Sequence, residues 1–197
     1  MVTLFMFVDF NTISPGANDN LTGTYAAVCA LRMLDMAGVD FENTEVCAMI
    51  TDGEEAGLRG CKSWTKNHYD EYVNSGVETV VLCVDTLTDR EYLRVYNKDM
   101  TGTVKNNQQF SQLVMDASKD AGHDDIELSS VFFGSSDAAA FSQAGITATC
   151  LAAMDPRPAD YYHNRRDTAD RLVPETIKTG FDVIISTILN FDEKGLN

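Results

Sequence analysis

Residues 77–85 read VETVVLCVD, and from Val80 to Val84 the run is apolar without interruption. A strand with one wet face alternates polar and apolar residues, so an unbroken apolar run predicts a strand covered on both faces. A chain that must cover a sheet twice needs helices on either side of it, and the rest of the sequence supplies them. Further apolar runs at Met1–Val8, EVCAMIT (45–51) and ITATCLAA (146–153) read as strands, with shorter ones at EYLRVYN (91–97) and SSVFF (129–133). Between them lie helical patterns over Leu21–Ala37, with Ala26, Ala27, Ala30, Leu31 and Leu34 on one face, over about Leu58–Tyr72, over Gln108–Ala121 and over Asp137–Ala144. Pro174 opens a last amphipathic helix to about Phe191, with Ile177, Phe181, Ile184, Ile185, Ile188 and Leu189 as its apolar face. Strands alternating with helices predict an α/β fold: a three-layer α-β-α domain around a central mixed, mostly parallel sheet. The 197 residues fit one such domain, with no internal repeat or linker.

Composition narrows the function classes. The net charge is −15, with 30 acidic against 15 basic residues, and no long basic cluster interrupts it, so nucleic acid is not expected as a partner. No run is long enough for a membrane span, and MVTLFMFV lacks the basic leader of a secretion signal. Five cysteines, at 29, 47, 61, 83 and 150, form no Cys-x-x-Cys pair and mostly sit in apolar segments, which suits a reducing, cytoplasmic setting. The chain opens directly on an apparent interior strand, so a domain shortened at its N-terminus is expected.

Folds of this class place ligands beyond the carboxyl ends of their strands. The polar residues found there are Asp9, Asp19 across the turn, Asp52, Glu54 and Glu55, Asp85, Asp137 and, after the last strand, His163. Taken singly, each has an ordinary reading. Asp19 and Asp137 could cap helices, Glu54-Glu55 could be a solvated surface pair, and Asp85 could be turn chemistry. Together they are carboxylates with one late imidazole, a donor set for zinc or another divalent ion. GEEAG (53–57) offers two neighbouring acids that point in different directions, so that one could hold a metal while the other served as a base.

The segments SPGANDN (14–20), TDGEEAGLRG (51–60), CVDTLT (83–88), SSDAAAF (135–141) and YYHNRRDTADRL (161–172) resemble, in order and rough spacing, the zinc aminopeptidases of peptidase family M28. Glutaminyl cyclases and the protease-like domain of transferrin receptors also belong to that family. The resemblance runs from about Phe7 to Asn190. It implies two zinc ions bridged by one aspartate, matched here by Asp19. Glu55 and His163 match the remaining ligands of the first metal, Asp85 a ligand of the second, and Glu54 the general base. The family's other ligand is a histidine in a His-x-Asp segment; here that segment is FVD, with Phe7 at the histidine position and Asp9 retained. One firmly bound zinc and a weak or empty second site are therefore expected, any second ion being harder than zinc.

The function implied is a metal-dependent exopeptidase, most simply an aminopeptidase acting on peptide or aminoacyl substrates. Two alternatives stay open: a non-catalytic, peptidase-like binding or scaffold domain, and a single-zinc glutaminyl-peptide cyclase. Relatives carry more chain before this point, so an exposed sheet edge could pair with a second copy.

Overall fold

The computed structural model describes residues 13–157 and 159–196. The expected strand Met1–Val8, and with it Phe7 and Asp9, lies outside the described residues. Five strands form one mixed sheet: β1 (Val80–Asp85), β2 (Leu93–Asp99), β3 (Val104–Lys105), β4 (Leu128–Ser130) and β5 (Thr147–Ala153). The order is β1-β5-β2-β3, and β4 also pairs with β2. β1 runs parallel to β5, and β4 to β2; β2 is antiparallel to both β5 and β3.

The double covering follows from the two-residue period of a strand. On β1, Val80, Leu82 and Val84 point to one core and Val81 and Cys83 to the other. On β5, Leu151 and Ala153 take the first side, while Ala148, Cys150 and Ala152 take the second. Helices α1 (Gly23–Met36), α3 (Gln108–Asp120) and α5 (Pro174–Lys194) close the first side with Ala26, Ala30, Phe110, Val114, Val183 and Ile184. Helices α2 (Arg59–Tyr72) and α4 (Asp137–Gln143) close the second with Cys61 and the run Ala138–Phe141. α1 comes so close to the sheet that a Cβ on Gly23 would lie 2.3 Å from the Val84 carbonyl oxygen.

Several expectations change in detail. Residues 45–51 form no ladder with a described strand; together with β1 they line a cavity of about 810 Å³. The strand expected at SSVFF is only Leu128–Ser130, and Phe132 and Phe133 lie exposed beyond it. β3 was not expected; it follows a tight turn in which Met100, Thr101 and Gly102 adopt positive φ and the Asp99 carboxylate accepts from the Met100 N–H. Leu189 does not share the buried face of α5, being 45% exposed. Among the described residues no helix is long and apolar enough to cross a membrane. Cys61, Cys83 and Cys150 are buried; Cys29 and Cys47 are exposed.

Candidate metal centre

Four segments at the carboxyl ends of the sheet converge on one small region. The first acids come from a tight turn ahead of α2. The Gly57 and Leu58 N–H groups both donate to the Glu54 carbonyl, and the Arg59 N–H donates to that of Gly53. Gly57 and Leu58 take left-handed φ values of 95° and 60° to make the turn, which carries Glu54 half-buried and Glu55 exposed into the cleft. Asp19 lies on an irregular turn, Ala17–Thr22, that leads into α1. Asp85 ends β1. His163 sits in the loop after β5 with φ 55°, its ring stacked on Tyr162 at 3.7 Å between centroids.

The side chains of Asp19, Glu55 and His163 come together. One donor atom of each lies within 4.8 Å of the others. His163 Nε2 is 3.2 Å from Asp19 Oδ2 and 2.9 Å from Glu55 Oε1, yet it is buried and aligned in a hydrogen bond with neither. Asp85 stands beside this group rather than within it, and Asp19, Glu54, Glu55 and Asp85 line one cleft of about 70 Å³. No lysine or arginine among the described residues lines that cleft. Asp85 Oδ1, Thr86 Oγ1 and Asp137 Oδ1 are buried without a hydrogen-bond partner among the described residues.

So many acids facing one another shift their proton equilibria. Burial, then the charges of Glu55, Asp137 and Asp19, pushes Glu54 up to about 8. Burial, then Asp19 and Glu54, holds Asp85 well above the usual carboxylate range. Burial alone would lower the His163 imidazole, but the carboxylates of Asp19 and Glu55 beside it lift it to about 10. Tyr162 is raised by burial and by the same acids. Uncompensated buried charge of one sign is costly unless a counter-ion offsets it. Two carboxylates and an imidazole whose ring nitrogen faces them suit a divalent cation: three protein donors leave room for a water or a substrate atom. The donor set therefore fits zinc.

A further acid, Asp137, behaves differently from its expectation as a helix cap. It is the first residue of α4, but its Oδ2 accepts from Thr51 Oγ1 at 3.0 Å, facing the cavity rather than the helix end. His68 and His123 lie away from the centre, against Glu71 and Asp182. Reading the residues alone missed the side chains that hold the centre in place. Asn20 donates to the Val84 carbonyl at 2.9 Å and accepts from the Thr86 N–H at 3.2 Å, gripping the chain on either side of Asp85. Asn18 accepts from the Leu87 N–H and donates to Tyr161 Oη. Asp167 accepts from the backbone N–H groups of Asn18 and Asp19. The only signal for them was position, since Asn18 and Asn20 flank Asp19 and Asp167 closes the late histidine segment.

The model of peptidase family M28 matches residues 4–188 of the chain. Aminopeptidase YwaD of Bacillus subtilis is 27% identical over 194 residues, covering 89% of this chain and 37% of that protein. The fold is shared with BSAP, a zinc aminopeptidase from Bacillus subtilis (TM-score 0.74, 23% identity, 89% of this chain and 42% of the other). It is shared also with the LapA aminopeptidase of Legionella pneumophila (TM-score 0.73, 16% identity, 92% and 48%). The chain thus spans less than half the length of these relatives.

Proposed function

The chain belongs to peptidase family M28, and from that premise we propose that it is a metal-dependent exopeptidase of the aminopeptidase type, removing N-terminal residues from peptides. The observation that carries the reading is the convergence of Asp19, Glu55 and His163 beside a half-buried acid, Glu54, whose pKa is raised to about 8. Asp19, Glu55 and His163 would hold a zinc ion. Such an ion supplies a Lewis acid for the scissile carbonyl and lowers the pKa of water to about 7.

The protein's own groups do the rest. Glu54 takes the proton from the attacking water on its carboxylate and passes it to the departing amine. A nearby cation draws a carboxyl pKa downward, so from about 8 Glu54 would move into the range where its two protonation states interchange readily. Tyr162, stacked on His163, fixes the plane of the imidazole. Among the described residues Asp85, with Asp19, offers a second ion carboxylates alone, which would favour magnesium or manganese over zinc. We therefore expect one tightly held zinc per chain.

Glu54→Gln tests the assignment. Hydrolysis of an aminoacyl-amide reporter should fall by at least about 100-fold while zinc content, measured by atomic absorption, stays at the wild-type level. Undiminished turnover would remove Glu54 from its role. Ammonia release from an N-terminal glutamine, without hydrolysis of the reporter, would reassign the centre to cyclisation.

A further inference from the structure

Asp167 is 99% buried, yet its carboxylate serves no group on its own segment. Its Oδ1 accepts from the Asn18 N–H at 2.8 Å and its Oδ2 from the Asp19 N–H at 3.0 Å, so both oxygens are spent on consecutive amides 148 and 149 residues away. Its own carbonyl accepts from the Ala17 N–H at 3.2 Å, and the Asn164 carbonyl accepts from Ser14 Oγ at 3.0 Å. The loop carrying His163 and the turn carrying Asp19 are thereby joined at four points. The Asn18 side chain extends the joint, since its amide reaches Tyr161 Oη at 3.1 Å and the Leu87 N–H at 3.0 Å. Tyr161 Oη in turn donates to Asp89.

We infer that Asp167 is a positioning residue: its bidentate grip on the Asn18 and Asp19 amides, helped by Asn18, sets the distance between the Asp19 carboxylate and the His163 imidazole before any cation arrives. The inference rests on the reading of Asp19, Glu55 and His163 as cation ligands. Those ligands come from three separate segments, so their separation is fixed only by what ties the segments together. Between the Asp19 and His163 segments Asp167 makes three of the four joints, two of them through its carboxylate. A buried carboxylate that only supported the fold would behave like Asp99. That residue is also fully buried and also accepts backbone amides, from Met100 and Ser136, but it touches neither ligand segment.

The test is zinc affinity of the whole chain, read by competition with a chromophoric chelator. The visible spectrum of the cobalt-loaded protein serves as a second readout of coordination geometry. Asp167→Asn replaces one acceptor oxygen by an amide that must face a backbone N–H, while keeping shape. We expect zinc affinity to fall about 10- to 100-fold and the cobalt spectrum to change. Asn18→Ala keeps the backbone N–H, removes the side-chain arm, and should weaken zinc in the same direction; it decides the matter if Asp167→Asn does not fold. Asp99→Asn, a comparably buried change, should lower stability and leave zinc affinity alone. Wild-type affinity in the Asp167 and Asn18 variants, or an equal loss in Asp99→Asn, would overturn the inference and leave the ligand assignment standing. A wild-type chain that takes up no zinc would overturn both.

Discussion

At the scale of single residues, the molecule depends on where a side chain is missing as much as on where one is present. The Gly23 Cα faces the Val84 carbonyl, and a methyl group there would sit 2.3 Å from that oxygen and 2.5 Å from Asn20 Oδ1. Gly23→Ala would gain about 1 kcal/mol of helix propensity. The contact works the other way, because both atoms it meets are held, one in β1 and one in the grip on the Asp85 strand end. Overpacking of about 1–3 kcal/mol outweighs the gain. A lower urea midpoint with an unchanged slope is the expected result, and a more stable variant would show that α1 can lift away. The residues that carry candidate chemistry were legible in the sequence only jointly: each has an ordinary reading alone, and their roles came from the ordered resemblance of five segments to the M28 aminopeptidases. Asn18, Asn20 and Asp167 were not, because asparagine and aspartate in turns have ordinary local uses and nothing in one sequence says that their partners are far away.

Among the elements, periodicity predicted identity well and extent poorly. α5 illustrates both. Pro174 opens it as expected, and Val183 and Ile184 are buried on its inner face. Leu189, which the same apolar stripe includes, turns outward, while Ile188 beside it packs against the core. Val183→Ala should cost about 2 kcal/mol, the transfer of two buried carbons plus a small cavity. Leu189→Ala should stay within about 0.5 kcal/mol of wild type; equal losses in thermal melts would mean that the surface around Leu189 is covered in solution. β3 was invisible because two residues show no period. Residues 45–51 have a strand's composition, but a strand is defined by its partner, and pairing is a property that one segment's sequence does not carry.

For the whole molecule, the acid cluster links stability to pH. Glu54 is raised from an ordinary 4.5 to about 8, so the folded chain holds its proton where the unfolded chain has released it. That contribution is present below about pH 4.5 and is lost as pH rises to about 8. His163 is raised from 6.5 to about 10; its contribution is complete below about 6.5 and lost as pH rises through about 10. Both slopes have one sign, so the melting temperature of the metal-free protein should fall between about pH 5 and about pH 10. Zinc should remove the fall, because a bound cation replaces the protons and binds more strongly as they leave. A metal-free melting temperature that rises across that interval would contradict the arrangement of charges described above. The joint made by Asp167 has a consequence in time as well. It closes a loop of 149 residues, and chain entropy makes such a closure about 2 kcal/mol costlier than one tenfold shorter. Asp19 is synthesised before His163 and must wait for it. Until residue 167 has been made and the loop has closed, Asp19 and His163 are not held together, so a cation that needs both would bind only after that closure.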